Sequence, residues 1–137
     1  MRIDVLGVGF DSCTMEQAVA EALRLIASEG SHYIVTPNPE IVELCRENQE
    51  LLDTVNAADM VLPDGIGIMY GAKILGTPLR QRLPGADFAG FLMEAMAKNG
   101  ITLYLLGAKP GVAEQAAVEL RKKYPNMPHI DICDLCR

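Results

Sequence analysis

The residue in this sequence best placed to do chemistry is Asp64, a carboxylate at a strand-to-helix corner. The apolar run 60–62 (Met-Val-Leu) is typical of a buried parallel strand, and Pro63 ends it directly before Asp64. Gly65 follows, and a glycine here permits close approach of the backbone at the start of a helix. Because ligands of open α/β sheets bind beyond the carboxyl ends of the strands, Asp64 is a candidate general acid or base.

Asp64 has two other interpretations. The spacing of Gly65, Gly67 and Gly71 is similar to that of a dinucleotide-binding loop, which would favour an NAD-type oxidoreductase. However, an acid directly before the first glycine would repel a pyrophosphate, and the ribose-binding acid expected about 20 residues further on is missing. Asp64 is also a good N-cap for the helix that follows it. The residues alone leave the choice between a base and a cap open.

A second group of polar residues follows the strand predicted over 32–35. That strand delivers residues 36–40 (Thr-Pro-Asn-Pro-Glu) to the same edge of the sheet as Asp64. Asn38 directly before Pro39 is a strong helix start, so a capping role explains Asn38 without any function.

Two further features have the chemistry to bind phosphate. Arg80 and Arg82 lie in a predicted loop, where they could clamp a phosphate group; a solvated loop is the alternative. Gly107 lies at a corner before a predicted helix, whose free backbone amides could receive a phosphate. Each of these signals is weak by itself.

The alternation of strands and helices predicts an α/β fold: a Rossmann-like parallel sheet with helices on both faces, in a single domain over 1–137. Thr14 and Gln17 have the spacing of a capping box, which predicts a helix start. The predicted strands are 2–8, 32–35, 60–62, 101–106 and 129–132, and the predicted helices follow Thr14, Asn38 and Asn48 or span 67–75, 85–99 and 112–124. In the helix over 85–99 the residues expected to face inward are Phe88, Phe91, Leu92 and Met96.

Composition and charge argue against several classes of function. A net charge of −6 and a pI near 4.8 argue against a nucleic-acid partner, since phosphate backbones are bound by clustered Lys and Arg. The sequence has no apolar run of about 18 residues to span a bilayer, and its N-terminus has no signal-peptide pattern. We therefore expect a cytoplasmic protein.

The cysteines do not predict a disulfide framework or a metal site. Cys13, Cys45, Cys133 and Cys136 are too few and too scattered for disulfides in a chain of this kind. The last two form a Cys-x-x-Cys pair, but with His129 as the nearest helper a zinc site would still be one ligand short. Reduced, incidental thiols are the better interpretation.

Four short motifs stand out along the chain as a whole. They are Thr36-Pro37-Asn38-Pro39-Glu40, Leu62-Pro63-Asp64-Gly65-Ile66-Gly67, Arg82-Leu83-Pro84-Gly85-Ala86-Asp87, and Leu105-Leu106-Gly107-Ala108 followed by Gly111-Val112-Ala113-Glu114. In this order and spacing, the set resembles the WecG/TagA/CpsF glycosyltransferase family over nearly the whole chain.

The resemblance implies an inverting transfer of a sugar, typically N-acetylmannosamine, from a UDP-sugar donor to a lipid-linked N-acetylglucosamine acceptor. Such products feed wall teichoic acid, enterobacterial common antigen or capsule. The enzyme would then meet its acceptor at the inner face of the cell membrane, as a peripheral protein. The UDP-sugar is a co-substrate, and no cofactor or metal is predicted, because the chain has no Asp-x-Asp signature of metal-dependent nucleotide-sugar enzymes.

The resemblance also assigns roles to individual residues. Asp64 matches the proposed catalytic base of the family, and Thr36 and Asn38 match its strand-end substrate contacts. Arg82 matches an arginine that engages the donor diphosphate. The substrate-binding set is completed by the glycines of two corners, Gly65 and Gly107.

The sequence departs from the family at its end. Family members continue past the strand that begins near Ile130 with further strand and helix units and a basic segment that reaches the membrane, and this sequence shows none of these. An exposed sheet edge and an incomplete nucleotide pocket are the expected consequences. The alternative function is therefore a non-catalytic nucleotide-binding or assembly module left by truncation, whose edge strand would pair with another copy as a homo-oligomer.

Overall fold

The computed structural model describes residues 1–133, and within them strands and helices alternate, which confirms the α/β class. The strands are β1 (Arg2–Val5), β2 (Val8–Asp11), β3 (Ile34–Val35), β4 (Met60–Val61), β5 (Leu103–Leu106) and β6 (Ile130–Cys133). The helices are α1 (Met15–Ala27), α2 (Pro39–Glu47), α3 (Gln49–Asn56), α4 (Ile66–Ile74), α5 (Gly85–Lys98) and α6 (Val112–Lys123). Cys136, the second cysteine of the Cys-x-x-Cys pair, lies outside the described residues.

Within residues 1–133 the strands pair as three two-stranded sheets, β1–β2, β3–β4 and β5–β6, so the single Rossmann-like sheet stays a prediction. The β3–β4 and β5–β6 pairs are parallel, as expected, whereas β1–β2 is antiparallel. The chain divides into two compact units, the first over Met1–Ala89 and the second from Gly90 onward. The single-domain assignment stays a prediction.

The N-terminal segment is a hairpin, so the prediction of one strand over 2–8 is wrong. β1 and β2 pair with Arg2 opposite Asp11 and Val5 opposite Val8. The two residues that join them, Leu6 and Gly7, have positive φ angles of 53° and 93°. Two-residue hairpin turns favour such angles because they match the twist of the strands. A leucine in this conformation is uncommon, which is why the apolar run conceals the turn.

Two side chains at the open end of this hairpin bind the neighbouring strand β4 and the residues before it. The Arg2 guanidinium donates hydrogen bonds to the backbone carbonyls of Asn56 and Ala58, just before β4. Asp11 accepts a hydrogen bond from the backbone N–H of Val61, at 2.7 Å. The hairpin therefore supplies polar partners to one edge of β4.

The parallel pair β3–β4 positions the residues of greatest functional interest. Ile34 lies opposite Met60 in this pair, and Val35 lies opposite Val61. The pairing continues past the strands, because the N–H of Leu62 donates to the carbonyl of Val35 at 2.9 Å. The two segments of the chain thus run side by side until each continues into a helix.

The helices begin where their capping residues predict. Thr14 and Gln17 make both hydrogen bonds of the capping box that starts α1. The side chain of Asn38 accepts from the N–H of Ile41 to start α2, with Pro39 in the first turn. Asn48 caps α3 in the same way.

The first unit has a hydrophobic core between the hairpin, the β3–β4 pair and three helices. α4 contributes Ile68 and Ala72, which are 2% and 0% exposed. The buried residues of this core are Val5, Val8, Phe10, Val42, Cys45, Val55, Ala58, Val61, Ile68, Ala72 and Leu79.

The second unit contains the parallel pair β5–β6 and the helix α6. Leu103 lies opposite Ile130 in the sheet, and Arg121 of α6 donates to the carbonyl of Ile130 at 2.8 Å. Of the α5 residues expected to face inward, Phe88 in the first unit and Met96 in the second are buried, Leu92 is half-buried, and Phe91 is 55% exposed. At 3.6 residues per turn Phe91 lies about 140° around the helix from Met96, so one buried face does not include both residues.

Candidate active site

Asp64 lies at the carboxyl ends of both parallel strands, β3 and β4. Its backbone N–H donates to the carbonyl of Pro37 at 3.3 Å, which is the last backbone hydrogen bond between the segments that follow β3 and β4. Pro37 and Pro63 are both fully buried, and each has a fixed φ angle. The backbone that carries Asp64 is therefore well determined, while the residue itself is half-buried.

The carboxylate of Asp64 is held by the start of α5 and does not cap α4. The N-cap of α4 is Gly65, which makes no side-chain cap hydrogen bond. Instead, Asp64 Oδ2 accepts a hydrogen bond of 3.0 Å from the backbone N–H of Gly85. This N–H belongs to the first residue of α5, where helices have free amides and favour negative charge.

The second carboxylate oxygen of Asp64 is open. Oδ1 has no hydrogen-bond partner among residues 1–133, and every buried side-chain nitrogen or oxygen there has a partner. Oδ1 is consequently accessible to a ligand or to water. A carboxylate that is oriented through one oxygen and open at the other has the arrangement that a general base needs.

Thr36 contacts the same glycine that holds Asp64. A Cβ atom added to Gly85 would lie 2.7 Å from Thr36 Oγ1 and 3.2 Å from Thr36 Cβ, so only glycine fits here. The Thr36 hydroxyl has no hydrogen-bond partner in the described part of the chain and is open by the same reasoning. Gly85 is thus the residue that brings Thr36 and Asp64 together.

Sequence reasoning missed this role of Gly85. The residue stands inside one of the four motifs, but a glycine at a helix start has many explanations. The available signal is the pair Pro84-Gly85 at the first turn of a helix, where a bare backbone N–H can face another segment.

The two polar atoms of the Asn38 side chain have different environments. Its Oδ1 caps α2, at 3.0 Å from the Ile41 nitrogen, while its Nδ2 has no partner among residues 1–133. The prediction that Asn38 is a helix cap is confirmed, and its amide donors remain available to a ligand. Thr36, Asn38 and Asp64 all follow the carboxyl ends of one strand pair, as expected.

Gly65 and Gly67 let the start of α4 pack on Pro39. A Cβ at Gly67 would lie only 2.8 Å from Pro39 Cγ, and one at Gly65 would lie 3.2 Å from Pro39 Cδ. Gly65 also has a φ of 100°, which favours glycine. Close helix packing explains both glycines, and the substrate contact of Gly65 stays a prediction.

Arg82 lies beside the Asp64 corner and is exposed. The N–H of the next residue, Leu83, donates to the carbonyl of Pro63 at 2.8 Å, and Leu83 is fully buried. The Arg82 guanidinium has no hydrogen bond or ion pair within residues 1–133. Arg80, by contrast, is tied to α1 through a 3.3 Å hydrogen bond to Gln17. Of the two arginines, Arg82 is the one free to meet an anion.

Gly107 belongs to the second unit, where its amide is already in use. Its backbone N–H donates to the carbonyl of Cys133 at 2.9 Å, as part of the β5–β6 ladder. This particular N–H is therefore not free for a phosphate. The adjoining backbone has positive φ angles at Gly107 and Ala108, of 113° and 67°. A substrate role for this corner stays a prediction.

A second titratable cluster lies at the other end of the β3–β4 pair. His32 bonds Ser28 through Nε2 at 2.8 Å and Asp59 through Nδ1 at 3.0 Å, the order of a serine hydrolase triad. The Ser28 hydroxyl, however, donates to the carbonyl of Leu25 at 2.7 Å, so its proton is committed to the end of α1. We interpret this cluster as a structural clamp.

The charge of Asp59 is favoured by its neighbours in this clamp. The backbone N–H of Tyr33 and then the His32 side chain hold the pKa of Asp59 below its ordinary value of 3.8. The clamp joins the end of α1 to the starts of β3 and β4, away from their carboxyl ends.

Within residues 1–133, no three His, Cys, Asp or Glu side chains come together as a metal-binding group. No helix in that part of the chain has both the length and the apolar character to cross a membrane.

The fold and the site define an α/β protein with an oriented carboxylate, an open hydroxyl, an open amide and an exposed guanidinium near one strand edge. This set of groups suits a polar, anionic ligand from which a proton is removed. A sequence profile of the Glycosyl transferase WecG/TagA/CpsF family matches residues 3–135. The chain belongs to this family, which confirms the resemblance of its four motifs.

Curated relatives are found in Staphylococcus aureus. Those from strains NCTC 8325 / PS 47, COL and N315 are each 34% identical to this chain over 128 residues, which is 92% of the chain. Each is named N-acetylglucosaminyldiphosphoundecaprenol N-acetyl-beta-D-mannosaminyltransferase. The matched region is 50% of each relative, so the chain spans about half the length of these proteins.

Proposed function

We propose that this chain is an inverting glycosyltransferase that moves N-acetylmannosamine from a UDP-sugar to a lipid-linked N-acetylglucosamine. Membership of the family and the names of the relatives support the reaction class and the acceptor. The observation that carries the proposal is the carboxylate of Asp64, fixed by Gly85 at one oxygen and open at the other. The product would enter cell-surface polysaccharide or teichoic acid synthesis, at the membrane where the acceptor resides.

Asp64 acts as the general base in this proposal. Its open Oδ1 takes the proton from the attacking hydroxyl of the acceptor sugar. The hydroxyl oxygen forms a bond to the anomeric carbon, and the bond from that carbon to the diphosphate oxygen breaks, with its electron pair leaving on UDP. Attack from the face opposite the leaving group inverts the anomeric configuration. The hydrogen bond from Gly85 keeps the carboxylate oriented throughout.

The other polar groups position the substrates. Thr36 and Asn38 lie at the same strand ends as Asp64, with an open hydroxyl and an open amide for sugar hydroxyl groups. Arg82 carries a permanent positive charge and can meet two phosphate oxygens at once, so it stabilises the charge that develops on UDP. These side chains supply the proton transfer and the charge stabilisation, and the proposal includes no metal or cofactor.

The test is product formation by the purified chain. It is incubated with UDP-N-acetylmannosamine and a short-chain lipid-linked N-acetylglucosamine, and the disaccharide is isolated and its anomeric configuration determined by NMR. We expect an inverted product from the wild type and at least about a hundredfold less product from Asp64→Asn. Asp53→Asn is the matched control, because Asp53 is exposed on α3 and bonds only Gln49 and the backbone of its own helix end.

A second outcome would favour the alternative function. The folded chain could bind UDP, as measured by calorimetry, and yet form no product when donor and acceptor are both present. In that case the chain is a nucleotide-binding or assembly module. A product with retained configuration would reject the single displacement by a base. Equal product from Asp64→Asn and Asp53→Asn would reject Asp64 as that base.

A further inference from the structure

The backbone around Arg82 is fixed on both sides of the residue. After it, Leu83 is fully buried, and its N–H donates to the carbonyl of Pro63 at 2.8 Å. Before it, Leu79 is 6% exposed and belongs to the hydrophobic core. The Arg82 guanidinium makes no hydrogen bond or ion pair in the described part of the chain. The loop over 79–83 therefore carries a free cation on a backbone with a buried residue at each end.

The two residues before this cation, Arg80 and Gln81, are bound to the start of α1. The backbone N–H of Arg80 donates to Ser12 Oγ at 3.1 Å, and the Arg80 guanidinium donates to Gln17 at 3.3 Å. The side-chain oxygen of Gln81, Oε1, accepts a hydrogen bond of 3.1 Å from the backbone N–H of Met15. These three hydrogen bonds join residues that are 63 to 68 positions apart in the chain.

Gln81 completes the N-terminal cap of α1. Met15 is the first residue of this helix, where a backbone N–H has no partner in its own helix. The capping box satisfies the amides of Thr14 and Gln17 instead. Within the described residues, Gln81 is thus the partner of the Met15 N–H, and the same bond holds the loop directly before Arg82.

We propose that Gln81 is a positioning residue for Arg82: by binding the start of α1, it holds the loop where the guanidinium meets the donor diphosphate. The inference rests on the proposed function, since the diphosphate is the anion that Arg82 stabilises there. A side chain on a mobile loop loses conformational freedom when it binds an anion, whereas on a loop that is already held it loses less. Gln81 thus raises the affinity for the donor without contacting it.

Limited digestion of the folded chain with trypsin measures the order of this loop without any ligand. Cleavage after Arg82 requires local opening of the backbone, so its rate reports the stability of the loop. Met15→Pro removes the partner of Gln81 without changing the cleaved sequence, and proline suits the first position of a helix. Thr14 before it is already extended, with φ −86° and ψ 165°, as a residue before proline must be. We expect cleavage about threefold faster than in Met15→Ala, the matched control, which keeps the N–H.

The affinity for UDP, measured by calorimetry, tests the link between Gln81 and Arg82. Gln81→Leu removes the acceptor oxygen and should weaken UDP binding about two- to tenfold, because the loop must then be ordered on binding. Arg82→Gln should weaken it at least tenfold. Adding Gln81→Leu to Arg82→Gln should have no further effect, since the contribution of Gln81 acts through Arg82. A purely structural role of Gln81 would not produce this coupling.

Several results would overturn this inference. One is equal trypsin cleavage of Met15→Pro and Met15→Ala, and another is a loss of UDP affinity from Gln81→Leu that is as large in the Arg82→Gln background as in the wild type. If Arg82→Gln weakens UDP binding and Gln81→Leu does not, the inference is wrong and the proposed function stands. If the wild type binds no UDP, or Arg82→Gln binds it as tightly as the wild type, the donor role of Arg82 is wrong and the inference fails with it.

Discussion

Replacing Gly85 by alanine tests whether this residue holds the candidate site together. The added Cβ would lie 2.7 Å from Thr36 Oγ1. Rotation of the hydroxyl gives no full relief, because Thr36 Cβ is only 3.2 Å away. An ordinary contact begins at 3.4 Å, so Gly85 and Thr36 must separate by about 0.2 Å if the hydroxyl rotates away and by up to about 0.7 Å if it does not.

The separation has a calculable effect on Asp64. A shift at the upper end of this range would lengthen the 3.0 Å hydrogen bond from Gly85 to Asp64 Oδ2 beyond the normal range. Overpacking costs about 1–3 kcal/mol, and loss of a hydrogen bond to a charged group costs about 1.5–3 kcal/mol when buried. Asp64 is half-exposed and alanine favours a helix, so we expect a net loss of about 2 kcal/mol in the free energy of unfolding. Misplacement of the base should also lower kcat by about 10- to 100-fold.

The assay for Gly85→Ala is urea unfolding followed by circular dichroism, together with acceptor-dependent UDP release. Gly90→Ala, in the same helix, is the matched control, because a Cβ there meets nothing within 4 Å. The control should be as stable as the wild type or up to about 1 kcal/mol more stable. If Gly85→Ala matches Gly90→Ala in both stability and turnover, the reasoning from this contact is wrong.

Three further predictions have distinct expected outcomes. Asn38→Ala should lower the free energy of unfolding by about 1 kcal/mol through loss of the α2 cap, and Asn48→Ala should do the same at α3. Asn38→Asp keeps the cap and should weaken only substrate binding. Equal turnover by all three variants would contradict a substrate role for Asn38. Arg82→Gln should raise the KM for the UDP-sugar at least tenfold in steady-state kinetics, and a KM that is unchanged would remove Arg82 from the donor site. Asp59→Asn should lower the free energy of unfolding at pH 7; because the folded pKa of Asp59 is depressed, the difference from wild type should vanish as pH falls below 3.8, and a difference that is constant with pH in denaturant titrations would argue against the clamp.

Local signals in the sequence predicted correctly where α1, α2 and α3 begin and that a strand ends before Asp64. Asn38, Thr14 and Asn48 each satisfy backbone amides within three residues, so their effect is readable from spacing alone. The same holds for the buried run that ends before Asp64, which is strand β4 with the expected parallel partner. These interactions are short in range and need no knowledge of the fold.

Sequence reasoning missed contacts between distant segments of the chain and one backbone conformation that is rare for its residue type. The sequence alone leaves the role of Asp64 open between a base and a cap for the helix that follows it. In the structure, Asp64 accepts a hydrogen bond from the first residue of α5, which starts 21 residues later. The hairpin at Leu6-Gly7 depends on a positive φ that an apolar residue rarely adopts. The pairing of the strands within residues 1–133 depends on which chain segments meet, and helical or strand periodicity does not encode that.

Glycines illustrate the same limit within the site. A glycine pattern before a helix suggested close approach of a ligand, whereas Gly67 is required because Pro39 Cγ would lie 2.8 Å from its Cβ. The sequence predicts free backbone amides at the Gly107 corner, but the N–H of Gly107 itself donates a hydrogen bond to the carbonyl of Cys133. The sequence can show that a side chain is missing, but only the structure shows what occupies the space.

The most direct test of the central claim is the rate of acceptor-dependent UDP release by Asp64→Asn relative to the wild type. Both proteins are measured at saturating UDP-N-acetylmannosamine and acceptor, with UDP affinity determined separately by calorimetry. If Asp64 is the general base, the rate should fall by about 10²- to 10⁴-fold while the affinity for UDP changes little. A rate within about threefold of the wild type would contradict the account, since an asparagine cannot accept the proton.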